Sequence, residues 1–412
     1  MVTIPFIFVV ACVVGLYMAW SIGANDIANA MATAVGAKAI TLRQAVLIAS
    51  LFTFIGAVFV GTHVTETIRK GIINPSFIPN PQIMMLGAFS SLLAAAIWVT
   101  LASWKAMPVS TTHSIVGALV GFGLLVGGPC CVNWKKIAEI VASWIISPVM
   151  AGVFSFFVFK SIVKFILNNK EPANATLRLV PFYMGIAFFI MVLSMLLNTR
   201  LGRLTNPDLS GLEIFGTSLI ISVVGGIIGY HWAVGAIKCK GREIEGVEES
   251  FRRLQVMTSC YVAFSIGAND VANAMGPVAT IFCIIKTGTF GTQVPIPYFL
   301  LVLGGIGISI GVLTFGYRVM ETIGFKITEL TNTRGYSIAF GGATSVLWAT
   351  KLGMPVSTTH AVVGSVIGVG LARGLDAVDF GMVRKILISW VITLPVAALT
   401  SIGIYTILKL FI

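Results

Sequence analysis

The stretch SIGANDIANAM at residues 21–31 returns, with one change, as SIGANDVANAM at residues 265–275. Both copies are embedded in apolar sequence, where every amide and carboxylate costs free energy. On a helix Ser21, Asn25, Asn29 and Thr33 recur every four residues and share a face, and Ser265, Asn269 and Asn273 form the matching stripe. Asp26 and Asp270 stand one position round from these amides. Translocon scales put Asp at the centre of a spanning helix at about +2.5 to 3.5 kcal/mol. Such a stripe is therefore expected to face a cavity or another polar group. Gly23 and Gly267 are expected to let the two helices break and free carbonyl oxygens. Amide, carboxylate and carbonyl oxygens suit a hard cation such as Na⁺ better than a soft metal. The plainer reading, polar staples between helices, loses ground because the motif is doubled.

Composition sets the surroundings. The chain has 412 residues, 57% hydrophobic and 10% charged, with a mean hydropathy of +0.97, whereas soluble domains carry about 25% charged residues. An all-α polytopic membrane protein is expected. A hydrocarbon core of ~30 Å takes roughly 20 helical residues to cross. Apolar runs near 4–22, 43–62, 83–103, 113–129, 137–159, 180–198, 212–236, 256–284, 297–317, 337–350, 359–372 and 384–411 give about twelve segments in the lipid bilayer. The longest polar stretch, 238–255, is expected to be a loop. No Lys or Arg precedes Lys38, so the basic region of a secretory signal is missing and the first helix is expected to stay. The net charge of +12 comes mostly from loops between apolar runs, which argues for helix anchoring and against a nucleic-acid partner. The six cysteines show no metal-ligand spacing.

The repeat is longer than its first motif. MPVSTTHSIVGALVG at 107–121 matches MPVSTTHAVVGSVIG at 354–368, Glu66 matches Glu321 in a shared ETI string, and Trp144 with Pro148 matches Trp390 with Pro395. All four pairs keep their order. The chain divides into an N-terminal repeat (1–168), two inserted helices with a polar loop (169–250) and a C-terminal repeat (251–412). The basic loops at 160–178 and 238–255 are both expected in the cytoplasm, with two helices between them. With each repeat crossing five times and the inserted pair twice, the chain makes twelve spans, the second repeat is inverted relative to the first, and both termini lie outside. The Asn-Ala-Thr sequon at 174–176 falls on the cytoplasmic side. Inverted repeats of this kind are typical of secondary transporters that bind substrate near the midplane.

In MPVSTTH the proline cannot continue a preceding helix, and Ser and Thr favour N-caps, so a helix is expected from about Thr112 and again from about Thr359. A helix N-terminus offers unpaired N–H groups and a partial positive charge. With Ser110, Thr111 and Thr112, or Ser357, Thr358 and Thr359, beside it, this is an anion site without a basic side chain. Inside a membrane such a break implies a re-entrant hairpin lining a cavity. Anion-binding tips beside cation-binding stripes point to cotransport. Glu66 and Glu321 read either as interfacial carboxylates or as cation ligands, and His113 and His360 as hydrogen-bonded spacers.

The paired GANDIANAM and GANDVANAM, with PVSTTH twice, resemble the signature segments of the inorganic phosphate transporter family, and the resemblance covers nearly the whole chain. It implies a cation-coupled phosphate symporter of prokaryotic type, not an enzyme, built from inverted repeats with paired hairpins, without a cofactor apart from Na⁺ as coupling ion, and often a homodimer in the inner plasma membrane. Position by position it implies phosphate contacts at Asp26, Ser110, Thr111, Thr112, Asp270, Ser357, Thr358 and Thr359. For Na⁺ it implies Asn25, Asp26, Asn29, Glu66, Asn269, Asp270, Asn273 and Glu321. Inorganic phosphate with Na⁺ is the leading reading. An H⁺-coupled phosphate or sulfate permease of the same fold is the alternative, and an anion channel would leave the Asn-Asp stripes without a role.

Overall fold

A computed structural model describes residues 3–197, 210–241, 243–289, 296–317, 330–374 and 380–411. Thirteen α-helices carry these residues. The N-terminal repeat contributes α1 (Thr3–Gly36), α2 (Leu42–Val60), α3 (Thr62–Lys70), α4 (Pro81–Trp104), α5 (Thr111–Gly127) and α6 (Trp134–Ile162). Two inserted helices follow, α7 (Pro172–Leu196) and α8 (Gly211–Lys240). The C-terminal repeat supplies α9 (Ile244–Thr287), α10 (Tyr298–Phe315), α11 (Asn332–Lys351), α12 (Thr358–Arg373) and α13 (Phe380–Lys409).

Local chemistry marks many of the helix starts. Thr41 and Gln44 form a capping box at α2, Asn80 caps α4 ahead of Pro81, and Ser210 with Glu213 forms a second box at α8. Among the described residues nine helices are long and apolar enough to cross a membrane: α1, α2, α4, α6, α7, α8, α9, α10 and α13. With α5, α11 and α12 they make up the twelve segments expected. Leu51 on α2, Ile145, Val149 and Phe157 on α6, and Val391 and Leu399 on α13 face outward, as lipid requires of an outer surface.

The two repeats interlock. Helix α1 packs on α10 while its counterpart α9 packs on α2; α5 packs on α13 while α12 packs on α6; and α1 meets α9 at the centre. Each element of one repeat is thus covered by the other, the exchange expected of units related by a two-fold axis. The turns of the α4–α5 and α11–α12 hairpins end against Asn25 and Asn269, inside the long helices rather than at their ends, so both hairpins are re-entrant.

Two expectations are corrected. Helices α1, of 34 residues, and α9, of 44, run unbroken through Gly23 and Gly267. These glycines serve close packing instead: a Cβ at Gly23 would lie 2.0 Å from the carbonyl oxygen of Ile308 on α10, and one at Gly267 would lie 2.0 Å from that of Thr53 on α2. The freed carbonyls expected as cation ligands are therefore absent there. The expected loop at 238–255 is mostly helix, with α8 running to Lys240 and α9 beginning at Ile244. Val247, Phe251 and Leu254 share one helical face and are buried with Tyr336 and Phe340 of α11, which the polar composition of that stretch concealed.

Candidate functional site

The hairpin turns are closed in the same way. After α4 the amide of Met107 donates to the carbonyl of Ala102, and after α11 that of Met354 donates to Ala349, both reaching back five residues as in a Schellman motif. The left-handed residue each turn requires is Ala106 (φ 53°) in the first and Gly353 (φ 67°) in the second. Ser110 then caps α5, accepting from the His113 amide at 3.2 Å, and Ser357 caps α12, accepting from the His360 amide at 3.3 Å. Both helices begin one residue earlier than expected, at Thr111 and Thr358. The amides of Thr111 and Thr112, like those of Thr358 and Thr359, precede the first intrahelical bond and face the centre unpaired by the helix.

The asparagines hold these tips in place. Asn25 Nδ2 donates to Ser103 Oγ (2.9 Å) and the Met107 carbonyl (3.2 Å), and Asn25 Oδ1 accepts from the Val109 amide (3.2 Å). Asn269 Nδ2 donates to Thr350 Oγ1 (3.1 Å) and the Met354 carbonyl (3.2 Å). The second pair reaches across to the opposite repeat. Asn29 Nδ2 donates to Thr359 Oγ1 at 2.9 Å, and Asn273 Nδ2 to Thr112 Oγ1 at 3.1 Å. Each also donates to the carboxylate three residues before it, Asp26 at 3.2 Å and Asp270 at 3.5 Å.

Both carboxylates are buried, 1% and 0% exposed. Thr111 Oγ1 donates to Asp26 at 3.0 Å and Thr358 Oγ1 to Asp270 at 3.2 Å. Among the described residues neither carboxylate has a basic partner; the ion pairs there are Lys136–Glu139 and Glu249–Arg252, far along the chain. Thr112 Oγ1 donates to the Val356 carbonyl and Thr359 Oγ1 to that of Val109, so the two tips are also stitched to each other. Behind the tips His113 and His360 lie 4.5 Å apart, flanked by Trp144 (3.7 Å from His113) and Trp390 (3.3 Å from His360). Each Nδ1 sits beside the opposite tryptophan's carbonyl, at 3.3 and 3.2 Å, as hydrogen-bonded spacers would.

The structure therefore gathers Asn25, Asp26, Asn29, Ser110, Thr111 and Thr112 with Asn269, Asp270, Asn273, Ser357, Thr358 and Thr359 in one buried cluster. Glu66 is not among them: it is exposed on α3, next to Thr67, whose hydroxyl donates to the Gly353 carbonyl of the second tip at 2.7 Å. Glu321 lies outside the described residues. Ser103 and Thr350, which anchor the asparagines, escaped notice in the sequence. Their only signal was a shared position four residues before the repeated MPVSTTH.

Inverted repeats, two re-entrant tips and buried carboxylates between them define a membrane transporter. Residues 22–401 match the Phosphate transporter family, and the chain belongs to it. A Pyrococcus abyssi protein named as a phosphate permease is 49% identical over 399 residues, 96% of each chain. One from Thermococcus kodakarensis is 48% identical over 404 residues, 97% of each. Among solved structures, one titled "The sodium-dependent phosphate transporter" is similar with a TM-score of 0.92 and 46% identity, covering 99% of this chain and 100% of that one.

Proposed function

We propose that the chain takes up inorganic phosphate in symport with Na⁺ across the inner plasma membrane, with both termini external. One observation carries the coupling: Asp26 and Asp270 are buried at the hairpin tips with hydroxyl and amide partners and no basic partner among the described residues. Phosphate entering beside two carboxylates needs compensating positive charge, and cations bound with it are the source that this donor set supports. Asn25, Asp26, Asn29, Asn269, Asp270 and Asn273 are assigned to the cation. The hydroxyls of Ser110, Thr111, Thr112, Ser357, Thr358 and Thr359, with the free amides of α5 and α12, are assigned to phosphate, Asp26 and Asp270 bordering both. Glu66, exposed on α3, and Glu321 are carried as cation ligands by the resemblance alone, as is the homodimer. The name of the similar solved structure agrees with sodium dependence.

Uptake of radiolabelled phosphate into proteoliposomes, with Na⁺ and pH gradients imposed separately, tests the coupling. Uptake should follow the Na⁺ gradient, phosphate affinity should rise with Na⁺, and by linkage Na⁺ affinity should rise with phosphate. Asp26→Asn and Asp270→Asn should each lower both uptake and its Na⁺ dependence. Full uptake in Na⁺-free choline buffer under a pH gradient would establish proton coupling instead.

A further inference from the structure

The two repeats differ along one seam. In the C-terminal repeat α9 and α11 run side by side from a common end, where Thr333 donates through its amide (3.1 Å) and hydroxyl (2.7 Å) to the Glu248 carboxylate, to the site, where Asn269 meets Thr350. Between these points Gln255, Ser259 and Tyr261 are 0% exposed and Thr344 is 9% exposed. Both ends of the Gln255 amide, the Ser259 hydroxyl and the Asn269 and Asn273 side-chain oxygens lack a hydrogen-bond partner among the described residues. Buried polar groups are ordinarily paired, so a run of unpaired ones marks a place that meets water or an ion.

Four of these groups lie near one line. Gln255, Ser259 and Asn269 fall near one face of α9 by helical spacing, and about 21 Å of helix separates Gln255 from Asn269. Gln255 points at α11: a Cβ on Gly335 would lie 1.8 Å from its Nε2, so the glycine makes the room the amide occupies. Tyr261 and Thr344 face each other closely enough for their hydroxyls to pair with one another.

At the motif spacing, the counterparts of Gln255 and Gly335 in the first repeat are Ala11 and Ala88. Those two pack together in a dry cluster with Met85, Phe89 and Ile281. Ser259 is matched by Gly15 and Thr344 by Ile97. At these positions the packing is apolar in one repeat and polar in the other, while Tyr261 is matched by Tyr17. The lining suits a cation, since neutral amide and hydroxyl oxygens lead from one carboxylate, Glu248, to another, Asp270, an arrangement that repels phosphate. Near the Glu248 end Arg252 pairs with Glu249 at 3.4 Å and Arg253 lies over the Trp232 ring at 5.9 Å.

We propose that the α9–α11 seam is a hydrated passage for the co-transported cation, joining Asn269 and Asp270 to the membrane face at Glu248, while the repeat-related α1–α4 seam stays dry. The identity of the ion rests on the Na⁺ reading above; the existence of the passage does not. The test uses the full chain, with its native cysteines replaced by serine, in proteoliposomes. Ser259→Cys and Thr344→Cys should react with a cationic methanethiosulfonate at least tenfold faster than Ala11→Cys and Ala88→Cys, and at least tenfold faster than with an anionic reagent of similar size. Equal rates at the two seams, or equal rates for the two reagents, would overturn the proposal.

Two variants with the native cysteines keep the inference testable if a cysteine variant folds poorly. Gln255→Leu and Gly335→Ala should lower the maximal uptake rate at least fivefold with phosphate affinity unchanged. A merely structural amide would tolerate the leucine, and undiminished uptake in both variants would count against a passage. Uptake by the parent chain under a pH gradient in choline buffer would remove Na⁺ as the ion and leave the thiol pattern intact, which separates the two failures.

Discussion

Ala106 is a residue out of place in a way that can be measured. It holds the left-handed conformation at the first hairpin turn that Gly353 holds at the second, and an L side chain there is strained by about 1–2 kcal/mol. Ala106→Gly should relieve more than glycine's extra unfolded-state freedom takes away, stabilising the protein by about 0.5–1 kcal/mol. A rise in the detergent-solubilised melting temperature would show it; a fall would mean the side chain contributes packing that outweighs the strain. Function at this scale turns on Thr111, whose hydroxyl donates to Asp26. Removing a hydrogen bond to a charged group costs about 1.5–3 kcal/mol. Thr111→Val should therefore lower the melting temperature through the lost bond and, with a hydroxyl assigned to phosphate gone, weaken phosphate binding about tenfold or more, as melting and isothermal titration of the purified variant would read. The motif residues were legible because each appears twice in an apolar context that penalises it. Ser103 and Thr350 were not, because a serine or threonine inside a helix has many ordinary uses and only the folded chain shows an asparagine reaching for it.

At the scale of the element, glycine was the ambiguous letter. In sequence a glycine beside a polar motif reads equally as a helix break or as a place where two backbones touch, and α1 and α9 show that here it is the second. Helix–helix association in membranes favours small residues for this reason. A Cβ at Gly23 would lie 2.0 Å from a backbone carbonyl that has no rotamer to escape into, so Gly23→Ala must push α1 away from α10. Overpacking costs about 1–3 kcal/mol or more, and the same displacement would shift Asn25 and Asp26 two and three residues on. Gly216→Ala, in α8 with nothing within 4 Å of the added carbon, is the control. The first variant should melt lower and lose uptake; the second should be neutral or slightly more stable. If both behave alike, the close α1–α10 approach is not what Gly23 is for.

The whole molecule brings the charge pattern and the interlocked repeats under one test. Helix α8, of 30 residues, is about 45 Å long and spans a ~30 Å core. Its two ends therefore lie on opposite faces. Lys238 and Lys240 end it and Arg252 and Arg253 follow, an accumulation that puts that end in the cytoplasm under the proposed topology. The twelve-segment plan and the inversion could be read from sequence because loop charge and motif order are both one-dimensional quantities. The exchange of partners between repeats could not, since which helix covers which is decided by packing. The proposed topology has a consequence for the hairpins: α11 begins beside Glu248, at the end proposed as cytoplasmic, so α4 should begin outside, and Ser76, exposed just before it, should be external. Single cysteines at Ser76 and at Leu212, which is 83% exposed at the other end of α8, should both react with an impermeant thiol reagent applied to intact cells. A cysteine at the exposed Glu245 should react only after permeabilisation. Reaction at Ser76 and Glu245 from the same side would mean that the hairpins enter from one face. The two tips would then not be related by inversion, and the symmetric assignment of Asp26 and Asp270 would fall with them.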